Sequence, residues 1–173
     1  MSERAKSQKK LFKILLLSLL LLITYVFDTV PFTLWRAVSP DLLVIFAISV
    51  SFFSSPLEAA VFSVAAGLFK DISSSGIFGF NAMVYLLIGV AVSLSALFFI
   101  RRSFSGALIV NAAGLSLSKG FYYFIFNVLF EKGGRIALLY KSVIPSILIS
   151  LLVIPITYFV IKKIDDRFGE EAL

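Results

Sequence analysis

Cysteine and histidine are both absent from the chain, which excludes disulfides, thiolate chemistry, cysteine lipidation and any imidazole-based catalysis or metal binding within it. Charge is scarce as well: 15% of the 173 residues are charged and 60% are hydrophobic, against roughly one quarter charged in an ordinary soluble domain. A soluble fold of this length hides about two thirds of its surface. The long uncharged runs would therefore leave large apolar patches in water, and lipid is the solvent that fits them.

Catalytic signatures are missing too. There is no HExxH, GxSxG, Walker or glycine-dinucleotide pattern. The carboxylates beside apolar runs, Asp28, Asp41, Glu58, Asp71 and Glu131, include no pair whose spacing puts both on one helix face. The expectation is a non-enzymatic protein with no cofactor and no metal. The net charge of +6 does not point to nucleic acid, because the basic residues flank hydrophobic segments and no basic-aromatic module accompanies them.

What is present is a series of apolar runs. Residues 11–27 follow a basic start, with no small-residue cleavage site after them, and read as an uncleaved first span in which Lys13 snorkels to the headgroups. Residues 28–40, with Pro31, Trp35, Arg36 and Pro40, suit an interfacial loop. Residues 42–53 and 57–69 are short, and Pro40-Asp41 and Ser55-Pro56 look like helix entrances. They read as two short membrane helices, with a re-entrant hairpin as the alternative.

Residues 70–80 form a polar, glycine-bearing connection. Further spans follow at 77–100, ending at Arg101-Arg102, at 104–130, and at 143–161, closed by Lys162-Lys163. The expected fold is thus an all-α integral membrane protein, a compact single-domain bundle of about six transmembrane helices with the second and third short. Residues 1–10 and 162–173 would be cytoplasmic tails. Ten Lys and Arg lie on the side of the two termini (Arg4, Lys6, Lys9, Lys10, Lys13, Arg101, Arg102, Lys162, Lys163, Arg167). Five lie on the other (Arg36, Lys70, Lys132, Arg135, Lys141), so both termini are placed in the cytoplasm.

Three features carry functional interest. Ala59, Ser63, Gly67 and Asp71 recur every four residues and share one face, either an internal packing seam or a docking surface for another protein. Asp71, with Gly76, Gly79 and Asn81 after it, is placed to accept hydrogen bonds from turn amides, so a capping role stands beside a functional one. Lys119 sits deep in an apolar run, where an ionisable side chain turns inward and finds a partner. The expected partner is a carboxylate such as Asp71 or Glu58. Along the same run, Asn111, Gly114 and Ser118 mark one small or polar stripe and Ala112, Ser116 and Gly120 another.

The stretch Ser39-Pro40-Asp41-Leu42-Leu43, then Gly67-Leu68-Phe69-Lys70-Asp71 and Gly76-Ile77-Phe78-Gly79, resembles the rod shape-determining protein MreD family. The likeness covers the whole chain in hydropathy and residues 39–90 in motif, and it carries over Pro40, Asp41, Gly67, Asp71, Gly76 and Gly79. Lys70 and Lys119 lie outside that pattern, and the serines at 73–75 depart from it. The resemblance implies a bacterial inner-membrane component of the elongation machinery that supports lateral peptidoglycan synthesis. Its partner would be MreC, and through it the MreB filament, RodA and a class B penicillin-binding protein. The alternative is the substrate-binding subunit of an energy-coupling-factor vitamin transporter, with Trp35, Tyr85, Lys119 and Tyr123 around a ligand pocket.

Overall fold

The computed structural model describes residues 3–29, 41–74, 77–100, 103–125 and 144–168, and all of its regular structure there is helical. Among the described residues six helices follow one another: α1 (Glu3–Thr29), α2 (Leu42–Phe53), α3 (Pro56–Ser73), α4 (Phe80–Phe98), α5 (Phe104–Tyr123) and α6 (Ile144–Phe168). Two of the starts have a local cause. Ser55 accepts from the Glu58 amide and Pro56 occupies the first turn of α3, while Ser103 accepts from the Gly106 amide at α5.

Successive helices reverse direction. Lys13 near the start of α1 meets Glu58 at the start of α3 and Asp165 near the end of α6, and the Phe12 and Phe168 rings lie 5.1 Å apart. At the opposite end, Asp28 of α1, Asp41 before α2, Lys70 of α3 and Lys119 of α5 converge. The beginning of the first helix and the end of the last are therefore neighbours.

α2 is the axis of the bundle. Every residue from Leu43 to Phe53 is buried, as expected of a helix apolar on all sides, and α1, α3, α4, α5 and α6 all pack on it. Its serines are satisfied within the core. Ser49 bonds Asn111 of α5 at 3.3 Å and Thr157 of α6 at 3.4 Å, Ser51 bonds Ser63 of α3 at 3.2 Å, and the Ser54 carbonyl accepts from Ser93 of α4 at 2.8 Å.

Several boundaries differ from the sequence-based expectation. α3 has 18 residues and continues one turn past Phe69, because Lys70 and Asp71 both find partners inside the fold and need no solvated loop. α6 runs through Lys162-Lys163 to Phe168, held at its end by Asp165 and the Phe12 ring. α1 is helical from Glu3, so most of the expected tail is helix. Lys13 does not snorkel: it is 8% exposed, with Asp165 at 2.8 Å and Glu58 at 3.7 Å. The expected extension of the fifth span to residue 130 falls outside the described residues.

Among the described residues, two helices are long and apolar enough to cross a membrane, α1 over Ser7–Thr29 and α4 over Phe80–Phe98. The outer surface is apolar well beyond them. Leu15, Leu19, Val61, Met83, Leu87, Ile109, Leu117, Leu152, Ile156 and Phe159 are all exposed, and together they cover outward faces of five helices.

Candidate functional site

Four charged residues of the Asp41 end form one chain. Asp28 Oδ2 lies 2.8 Å from Lys70 Nζ, which lies 2.7 Å from Asp41 Oδ1, and Asp41 Oδ2 lies 2.5 Å from Lys119 Nζ. Two carboxylates and two ammoniums thus alternate across α1, the start of α2, α3 and α5, with no net charge. The carboxylates are buried and the ammoniums about one fifth exposed, so each charge is compensated where hydration is poor.

Local sequence explains part of this chain. Asp41 stands at the N-cap position of α2, yet its side chain makes no capping bond. The first-turn amide of Leu42 donates instead to Asp28 Oδ1 at 3.0 Å. Asp28 therefore caps α2 from another helix, which releases the Asp41 carboxylate for Lys70 and Lys119. The Asp41 amide donates to Ser150 of α6 at 3.2 Å, so residue 41 touches α6 as well.

A few residues away, Asp71 organises the entry to α4. Its carboxylate accepts from the backbone amides of Gly79 (3.0 Å), Asn81 (3.1 Å) and Ala82 (3.2 Å), and from Asn81 Nδ2 at 2.8 Å. These are the free donors of a helix start, and a carboxylate satisfies them with charge as well as geometry. Gly79 makes the turn, at φ 90° in the left-handed region.

The face of Ala59, Ser63, Gly67 and Asp71 lies inside the chain, and all four residues are buried. A side chain at Gly67 would overlap the backbone of Asn81 and Ala82, and one at Gly89 would overlap Ser63. α3 and α4 thus approach closely at two levels, backbone against backbone at Gly67 and the Gly89 backbone against the Ser63 side chain, as small residues permit. Of the two readings left open for this face, packing seam or docking surface, the structure has it covered by α4 and by Ser51 of α2. Asn111, Gly114 and Ser118 likewise face inward, whereas Ser116 and Gly120 are exposed.

Lys119 pairs with a carboxylate, but that carboxylate is Asp41 and not Asp71 or Glu58, the two suggested from sequence. Asp71 is occupied by the α4 amides, and Glu58 belongs to the other end of the bundle. Sequence reasoning missed Asp28 and Lys70. The usable signal was an acidic residue ending one apolar run and a basic residue ending another, two helices apart and so at the same end of an alternating bundle. Gly76, Pro40 and Trp35 lie outside the described residues.

Among the described residues no group of His, Cys, Asp and Glu could hold a metal ion. The ion chain is balanced and internally bonded, an arrangement that locks helices together. No protein-family model, no curated protein and no solved structure matches the chain.

Proposed function

We propose that the chain is a multi-pass integral membrane protein with both termini cytoplasmic, acting as a non-enzymatic, MreD-like component of the bacterial elongation machinery that binds MreC. Two observations support the membrane part: α1 and α4 have the length and apolarity of spans, and exposed large hydrophobics cover the outward faces of the other long helices too. The start of α1 and the end of α6 meet at the end bearing Lys162, Lys163 and Arg167, which agrees with a basic cytoplasmic side.

The family part rests on the residues of the resemblance. One observation carries it: Gly67, Asp71 and Gly79 act on a single structural event, the tight approach and capping of α4 against α3. A motif whose members meet in this way has a physical reason for its spacing. The transporter alternative finds less support, since Tyr85 is 2% exposed and Lys119 is bound to Asp41.

Affinity purification of the tagged chain from membranes of cells expressing MreC tests this reading. MreC is expected to co-elute without a small-molecule ligand. A chain that ignores MreC and carries a bound vitamin would overturn the scaffold assignment, and a chain recovered as a dispersed monomer without detergent would overturn the membrane one.

A further inference from the structure

At the Lys13 end, the outward face of α6 carries cations that the ion pairs do not use. Lys162, Lys163 and Arg167 surround, with Phe159 and Asp166, an open hollow of about 550 Å³. Lys10 and Lys13 at this end are engaged by Glu58 and Asp165, but among the described residues Lys162, Lys163 and Arg167 form no ion pair. Lys162 lies over the Tyr158 ring at 5.8 Å and Arg167 over the Phe168 ring at 5.9 Å, contacts that hold a cation in place without neutralising it.

The same face continues away from the hollow as an apolar stripe. Leu152, Ile156, Phe159 and Lys163 follow one another at helical spacing, and the first three are 74%, 64% and 63% exposed. Phe104 of α5 stacks on Phe159 at 6.0 Å and gives the stripe a wall. Three cations and one carboxylate thus end a strip of hydrocarbon. That pattern complements an amphiphile with an anionic head: phosphate among the cations, acyl chain along the stripe.

We infer that the α6 face formed by Lys162, Lys163, Arg167 and Phe159 binds an anionic phospholipid through its phosphate. The inference rests on the membrane reading above and is independent of MreC. At about 1 kcal/mol per basic residue near an anionic surface, the net excess of two cations corresponds to about a thirtyfold preference for an anionic over a zwitterionic lipid.

The test uses the full chain in neutral detergent, titrated with phosphatidylglycerol or phosphatidylcholine of identical acyl chains, with retained lipid read by native mass spectrometry. The wild type should retain phosphatidylglycerol about thirtyfold better, and a variant with Lys162→Gln, Lys163→Gln and Arg167→Gln should lose that preference. Lys9→Gln, which removes an exposed cation from α1, should keep most of it. Should the triple variant fail to fold by circular dichroism, Lys163→Gln alone should show about a fivefold fall.

A wild type without preference, a triple variant that retains it, or an equal loss in Lys9→Gln would overturn the inference. So would displacement of the lipid by millimolar inorganic phosphate at matched ionic strength, which would mark a free-phosphate site. If the chain needs neither detergent nor lipid, the membrane reading fails instead.

Discussion

Asp41→Asn isolates the energetics of the ion chain. The substitution keeps the size of the side chain and the backbone bond to Ser150 but removes one of two negative charges facing two positive ones. Lys70 keeps Asp28, and Lys119 loses the carboxylate that stands 2.5 Å from it. Removing one member of a buried pair costs about 3–5 kcal/mol. The ammoniums retain 22% and 23% exposure, which places the expected loss near the lower figure, about 3 kcal/mol.

For a chain of this size that loss lowers the melting temperature by about 6–12 °C. Far-UV circular dichroism in detergent would measure it. The double variant Asp41→Asn with Lys119→Met leaves the neutral pair Asp28–Lys70, and it should return to within about 1 kcal/mol of wild type. If the single variant melts with the wild type, or the double variant melts no higher than the single, the uncompensated ammonium is not the source of the loss and the argument fails.

Other substitutions separate packing from backbone and capping effects. Gly67→Leu should abolish a monodisperse peak in size-exclusion chromatography, because the new side chain meets the Asn81–Ala82 backbone and backbone cannot yield cheaply; a normal peak would refute the close approach. Gly79→Ala has open space around its Cβ, so it should cost only the left-handed penalty of about 1–2 kcal/mol, with Gly79→Asn milder in the same melt. Asp71→Ala removes the acceptor of three backbone amides and should lower stability by about 3 kcal/mol, with hydrogen exchange fastest at the start of α4.

Much of the site could be read from residue spacing. The four-residue recurrence from Ala59 to Asp71 placed four residues on one face, and the glycines after Asp71 announced a turn that a carboxylate could cap. Lys119 was legible as an inward-facing charge, since an ammonium is costly in hydrocarbon wherever its helix packs. Which carboxylate it meets was not legible, because nothing local distinguishes Asp41 from Asp71. The N-cap rule even reserved Asp41 for its own helix, and only the arrival of Asp28 from α1 released it.

Along the chain, therefore, sequence alone determined what depends on near neighbours: which runs become helices, which residues share a face, and the scarcity of polar groups to put in water. Tertiary structure decided what depends on which faces meet. It made the short α2 the buried axis, turned the small-residue face of α3 onto α4, and closed Asp28, Lys70, Asp41 and Lys119 into one neutral chain. Helical periodicity is set by hydrogen bonds four residues apart, whereas charge pairing across helices is set by the packing of the whole bundle, and that information is spread over every interface at once.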